Sequence, residues 1–429
     1  MSDREALNRA VSLAREFDNT TPEFLEHEFE TYQALREALP IARSERRAAA
    51  GVGAAWVLTR YDDITEALTN PADFSNQTAN YPVRPWIPQA VDPPAHTAYR
   101  RILNPWFTVD AMSKLEPHLE QYASELVQKM VAKPAFDFVA DFADPFPTVI
   151  FCELIGFPLG DYAQIMDWKN MTMHAADGHA RGAALVRERG LKLGLTPNAV
   201  GGFSPEDGMK IRVDVGREVY AYFAKLLDAR RKEPRDDLIT KLLAAEFEGK
   251  RKLTQEELED TLFLLFMAGL DTVASVLGLI VRHFALDPEK RREFVALMED
   301  PERVGAAVEE LVRFHAIVTS PRRVTRDLAF HGAQLRSGDF VALPTPAANR
   351  DPAEFPNPDA IEYDRTPNRH LGFGLGPHRC LGIHLARREV RIALQVFHRA
   401  LPEYRLDPAH PPQLFGGMKG VASLPLLRA

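Results

Sequence analysis

The run LFLLFMAGLDTVASVLGLIV, residues 262–281, constrains this 429-residue chain more than any other segment. It is long enough to span a bilayer. Asp271 sits in its middle, however, and a carboxylate there is costly in lipid. EELED precedes the run and RHF follows it. At the centre of a large soluble domain such a helix is apolar nearly all round, because other helices cover it. Its start is well marked. Thr254 and Glu257 have the spacing of a capping box, and Leu253 with Leu258 supplies a hydrophobic staple.

Helical periodicity dominates the rest. Residues 110–131, 146–156, 215–231, 254–286, 302–316 and 381–401 read as helices. Strand signals are short: 54–60, 328–335 and 339–345, the last two joined by a turn at Ser337-Gly338. The expected fold class is therefore mainly α with small β-sheets (α+β). No repeat and no linker rich in Gly, Ser or Pro divides the chain. We read residues 1–429 as a single domain, with 1–53 as an N-terminal lead-in and 174–212 as an extended, lid-like connection. With 52 basic and 60 acidic residues the net charge is -8, which argues against nucleic acid as a partner. Two cysteines cannot build a disulfide framework, and no secretory signal or membrane anchor is seen, so a cytoplasmic location is expected.

One cysteine stands apart. Cys152, in VIFCELIGF, reads as an ordinary buried thiol. Cys380 lies in HLGFGLGPHRCLG, among Gly374, Gly376 and Gly382 and directly before a helix. Glycines permit a tight turn and close backbone approach, and a helix start favours a thiolate. A nucleophile would need a placed base, and zinc would need about four ligands. Haem with a thiolate axial ligand needs only one cysteine.

Phe373-Gly374-x-Gly376-x-His378-x-Cys380-x-Gly382 resembles the haem-binding signature of the cytochrome P-450 superfamily at every fixed position. Three further segments resemble the family in the same order: DPPAHTAYRR (92–101), AGLDTV (268–273) and Glu310-Leu-Val-Arg313. The resemblance runs from about residue 54 to the C-terminus and is nearest to soluble bacterial members. DPFPTVIF, GLDTV, HLARRE and SLPL look most like the camphor-hydroxylase branch.

The resemblance implies a cytochrome P-450 fold, one large helical domain around a buried haem b, and a haem-thiolate monooxygenase. Cys380 would be the metal ligand. His96, Arg100, Arg322 and His378 would hold the haem propionates, Arg322 rather than Arg323 being in register when counted back from Asp327. Phe373, Gly374 and Gly382 would shape the haem loop. Ala268 and Gly269 would leave room for O2. Asp271 and Thr272 would be catalytic, the hydroxyl serving oxygen activation and the acid relaying protons. Glu310, Arg313 and Arg365 would be structural.

By register, Tyr81, Trp86, Leu264, Met267, Ala268, Val318 and Met418 line a substrate pocket, with Thr319 as a further hydrogen-bonding candidate. Their apolar character implies a hydrophobic small molecule held by shape. A terpenoid or other alicyclic compound is favoured; aromatic and steroid-like substrates, and demethylation, epoxidation or coupling, stay open. A non-catalytic haem sensor is the competing class, but it has no need of Asp271 and Thr272. The chain has no cysteines for an iron–sulfur cluster. NAD(P)H-derived electrons are expected from a [2Fe–2S] ferredoxin and its reductase, docking near Arg379, Arg387, Arg388 and Arg391, with the protein a monomer.

Overall fold

In the computed structural model, residues 3–45, 55–78, 81–175, 182–199 and 201–428 are described. The capping box at Thr254 forms as expected: its hydroxyl accepts the Glu257 N–H, and Glu257 returns a bond to the Thr254 N–H. The helix that follows is not continuous. It runs Gln255–Gly269, breaks at Leu270 and Asp271, and resumes as Thr272–Leu286. Thr272 Oγ1 donates to the Ala268 carbonyl at 3.1 Å. Such back-bonding competes with the helical ladder and opens it locally.

Both halves are sheathed by other helices. Pro145–Ile155 crosses the break, Tyr162–Met173 and Pro205–Lys232 roof the first half, and Ile383–Ala400 packs against the second. Most of the apolar stretch Gln255–Leu286 is thereby buried within the protein. Two further expected helices differ in extent. The first breaks after Ser113 and resumes at Glu116; the roof helix starts at Pro205 rather than 215, because Ser204 caps it and Pro205 supplies a preset first turn.

The main sheet has five strands, in the order Ile41–Ser44, Ala55–Leu58, Phe340–Pro344, Thr319–Val324 and Phe74–Ser75. Residues 328–335 form a hairpin rather than one strand, because His331 and Gly332 both adopt positive φ (44° and 91°). Ser337-Gly338 does turn, with Gly338 at φ 89°.

The described part of the N-terminal lead-in is built into the body. Ala10, Ala14, Phe17, Tyr32 and Leu35 share a buried cluster with Val57, Ala342 and Ala347. Residues 46–53 of the lead-in and 176–181 and 200 of the 174–212 connection lie outside the described residues. The described rest of that connection holds a helix, Ala183–Lys192, docked on the roof, then a loop and the start of the roof helix. Val186 is buried, and Arg189 bonds Asp214 and Glu218. Gly190 lies so close to Phe203 that a Cβ would come within 2.1 Å of the ring.

Candidate active site

The loop carrying Cys380 is shaped by backbone sterics. Gly374 and Gly376 adopt φ of 66° and 71°, and a Cβ at Gly376 would fall 2.5 Å from the Leu68 carbonyl. The turn brings the Cys380 N–H onto the Phe373 carbonyl at 2.9 Å. Burial raises the Cys380 thiol pKa; the Gly382 N–H and Arg100, Arg379 and Arg387 act against it. Gly382 has ordinary φ and no protein atom within 4 Å of a Cβ position, so internal packing does not require it to be small. The open space there would admit a bound cofactor.

Four basic side chains gather beside this loop. The His96 and His378 rings lie 4.0 Å apart. Arg100 Nη1 donates to the Arg379 carbonyl at 2.9 Å, and its Nε donates to Asn104 Oδ1 at 3.1 Å. Arg322 is buried, its Nη1 donating to the Pro321 carbonyl at 2.8 Å. Strand alternation turns Arg322 inward, while Arg323 faces the other way and stacks over Phe340.

Burial, then Arg100, holds His96 down to about 4. Burial, then His96, Arg322 and Arg100, holds His378 down to about 2. Burial also lowers Arg322, to about 10, against the pull of Asp92. That aspartate is engaged elsewhere, by the Ser75 hydroxyl and the Asn76 N–H. His378 Nε2 is buried without a hydrogen-bond partner. Two arginine charges gathered beside two neutral imidazole rings that can donate hydrogen bonds call for an anion. The two propionates of haem fit this donor set.

Across the groove, Ala268 is exposed on a helix whose neighbours Leu265 and Met267 are buried. Gly269 has a packing reason to be small. A Cβ there would lie 2.3 Å from the Phe151 ring, so glycine permits the crossing with Pro145–Ile155. Asp271 has no exposed surface. Its Oδ1 accepts Lys169 Nζ at 3.1 Å, and its Oδ2 lies 3.8 Å from His174 Nε2. Lys169, equally buried, also reaches Asp144 Oδ1 at 3.2 Å. Sequence reasoning missed Lys169 and His174. The signal was a lysine on a buried stripe beside Trp168 and Thr172; its partner is 102 positions away.

The pocket candidates form two groups. Tyr81 meets Trp86 edge-on at 5.2 Å, Trp86 stacks on Phe263 at 5.6 Å, and Phe263 stacks on Tyr220 at 4.7 Å. Arg84 clamps this wall: it bonds Glu259 at 2.7 Å and Asp260 at 2.8 Å and lies 4.2 Å over Tyr220. Leu264 is half-buried one residue beyond Phe263. Val318 and Met418, both half-buried, are brought close by the Lys419 N–H bond to the Ile317 carbonyl. Thr319 Oγ1 accepts from Asn19 Nδ2 at 3.2 Å.

Glu310 and Arg313 are fully buried and doubly bonded, at 2.7 and 2.8 Å. Arg365 Nε reaches both Glu310 oxygens at 3.1 Å, the Glu362 N–H donates to Oε1 at 2.9 Å, and Asn368 Nδ2 adds a fourth polar partner at 3.2 Å. The proximal arginines carry less free charge than expected. Arg387 is paired with Glu309, and Arg388 and Arg391 share Glu116; Arg379 is exposed.

The cytochrome P450 family model matches residues 49–294 and 298–424. The chain is 34% identical over 387 residues to the mycinamicin IV hydroxylase/epoxidase of Micromonospora griseorubida, covering 87% of this chain and 88% of that one. It is 31% identical over 395 residues to the vitamin D(3) 25-hydroxylase of Pseudonocardia autotrophica, covering 89% and 88%. The solved structure of the bacillaene polyketide synthase cytochrome P450 PksS from Bacillus subtilis 168 aligns with a TM-score of 0.78 and 30% identity, over 96% of this chain and all of that one. This chain belongs to the cytochrome P450 family and has its fold. It is a bacterial-type P450 monooxygenase, whose cofactor is haem b, whose co-substrate is O2 and whose electrons come from NAD(P)H through redox partners.

Proposed function

We propose that Cys380 is the axial thiolate ligand and that His96, Arg100, Arg322 and His378 hold the two haem propionates. The observation that carries this reading is the basic cluster beside the Cys380 loop, where His378 Nε2 is left without a protein partner. Bound haem supplies reductive O2 activation and oxygen-atom transfer. The Phe373 carbonyl holds the Cys380 N–H, and the Gly382 N–H donates to the Cys380 sulfur. Thr272 Oγ1 gives its proton to the Ala268 carbonyl and keeps lone pairs to accept with in the opened helix. Asp271 passes protons toward that hydroxyl when its carboxylate swings from Lys169.

The substrate in this reading is a hydrophobic alicyclic molecule, terpenoid-like, held by half-buried Tyr81, Trp86 and Leu264 on one side and Val318 and Met418 on the other. A larger macrocyclic substrate is a second reading, favoured by the names of relatives that act on mycinamicin and in polyketide biosynthesis. The 174–212 connection serves as a lid in either case. Electrons arrive from a [2Fe–2S] ferredoxin that docks near exposed Arg379, and the protein works as a cytoplasmic monomer.

The test is the absorption spectrum of the purified, reduced protein with CO, followed by titration of terpenoids, macrolides and a vitamin D-like sterol into the ferric form. A strongly red-shifted Soret band and a low-to-high-spin change with one class are expected. A band at the histidine-ligated position would remove Cys380 as ligand.

A further inference from the structure

Glu309 and Glu310 are neighbours on the helix Pro301–Phe314, yet they serve different structures. Glu310 holds Arg313 and Arg365. Glu309 accepts Arg387 Nε at 2.7 Å and Nη2 at 2.5 Å, and it pairs with His370 Nε2 at 3.2 Å. His370 precedes the Cys380 loop and Arg387 follows it, so one carboxylate ties both of its ends. His370 Nδ1 accepts the Gly372 N–H at 3.1 Å. The Arg387 guanidinium lies 5.2 Å from the centre of the Phe373 ring, and the Phe373 carbonyl holds the Cys380 N–H.

Three arginines act electrostatically on Cys380: Arg100, Arg379 and Arg387. Among the described residues, Arg100 bonds a carbonyl and an amide oxygen, whereas Arg387 bonds a carboxylate. Burial alone would raise Glu309; its bonds to His370 and Arg387 more than offset this and hold it near 2. It is therefore ionised throughout the working pH range.

We propose that Glu309 is a positioning residue whose carboxylate neutralises Arg387 beside the Cys380 loop, so that the Arg387 charge is kept from shifting the ferric–ferrous equilibrium at the site. The inference rests on Cys380 being the thiolate ligand. Reduction adds one negative charge at the metal, so a free cation nearby favours the reduced state and a free anion opposes it. The Arg387 and Glu309 side chains are 33% and 26% exposed, so solvent damps each effect.

The experiment is a spectroelectrochemical titration of the haem-loaded protein and its Glu309→Gln, Arg387→Gln, double and Glu309→Asp variants. Each is first checked for the red-shifted CO band. Glu309→Gln should move the potential positive and Arg387→Gln negative, each by a several-fold change in the ferric–ferrous ratio, below the ~59 mV of a tenfold one-electron change. The double variant and Glu309→Asp should stay near the parent. Shifts of the same sign in both single variants, or none, would overturn the proposal and leave Glu309 a plain loop brace. If Arg387→Gln does not load haem, the contrast between Gln and Asp at 309 decides by the same criterion. A parent without the red-shifted band would instead remove the Cys380 reading, and the inference with it.

Discussion

Arg313 has no solvent contact, and its guanidinium donates to both Glu310 oxygens and to the carbonyls of Asn349, Pro358 and Ala360. An exposed pair at this spacing contributes roughly 0–1 kcal/mol. Burial changes the scale. Glu310→Ala leaves Arg313 and Arg365 without their shared anion in the interior. A loss of about 3–5 kcal/mol is expected, with little haem-loaded protein; chemical denaturation and haem content per chain measure both. Normal haem loading would show that the network is dispensable for assembly. The spacing of Glu310 and Arg313 was readable along the sequence. Their burial was not, because it depends on the meander of residues 349–368 folding back over them.

At the level of elements, the break in the central helix has two physical sources. Thr272 takes a carbonyl from the ladder, and Gly269 lets Phe151 approach. Gly269→Ala should overpack that crossing and cost about 1–3 kcal/mol. Adding Phe151→Leu should restore most of it, which a double-mutant cycle by thermal or urea unfolding would show. Additive losses would mean that the contact is not the reason for glycine.

The proximal helix Ile383–Ala400 carries a buried acid, Glu389, that burial pushes up to about 8. In the unfolded chain its carboxyl titrates near 4.3. Between these values the folded state holds a proton that the unfolded state releases, so stability falls as pH rises from about 4.3 to about 8. Glu389→Gln removes that slope. Its gain in Tm over the parent should widen from pH 5 to pH 8 and level off above. A gain independent of pH would show that Glu389 is ionised in the fold.

At the scale of the whole molecule, the N-terminal segment and the helix Ala183–Lys192 each dock on elements that carry or cover the pocket candidates. Asn19 donates to Thr319 and to the Gly417 carbonyl, and a Cβ at Gly416 would fall 2.6 Å from the Asn19 carbonyl. The helix Ala183–Lys192 caps the roof through Arg189 and Phe203. Deleting roughly 183–199 and rejoining the roof helices should weaken substrate binding several-fold in spin-state titrations while leaving haem content unchanged. Unchanged affinity would make this helix a surface addition rather than a lid.

What could be read along the chain is what neighbours within a few residues control. The capping box at Thr254, the positive-φ glycines before Cys380 and the helix that follows depend on local backbone geometry. The haem-loop pattern is legible for the same reason, since its parts lie within one turn. Partners set by the path of the chain were not legible. Lys169 meets Asp271 from 102 positions away, Glu309 and Glu116 quench arginines that look free in sequence, and Phe151 gives Gly269 its purpose. Even the choice between Arg322 and Arg323 becomes a matter of geometry in the sheet, where alternation sends one inward to the basic cluster and the other outward over Phe340. Charge pairing and close packing are contacts through space, so which groups meet follows from how the helices and strands are laid against one another.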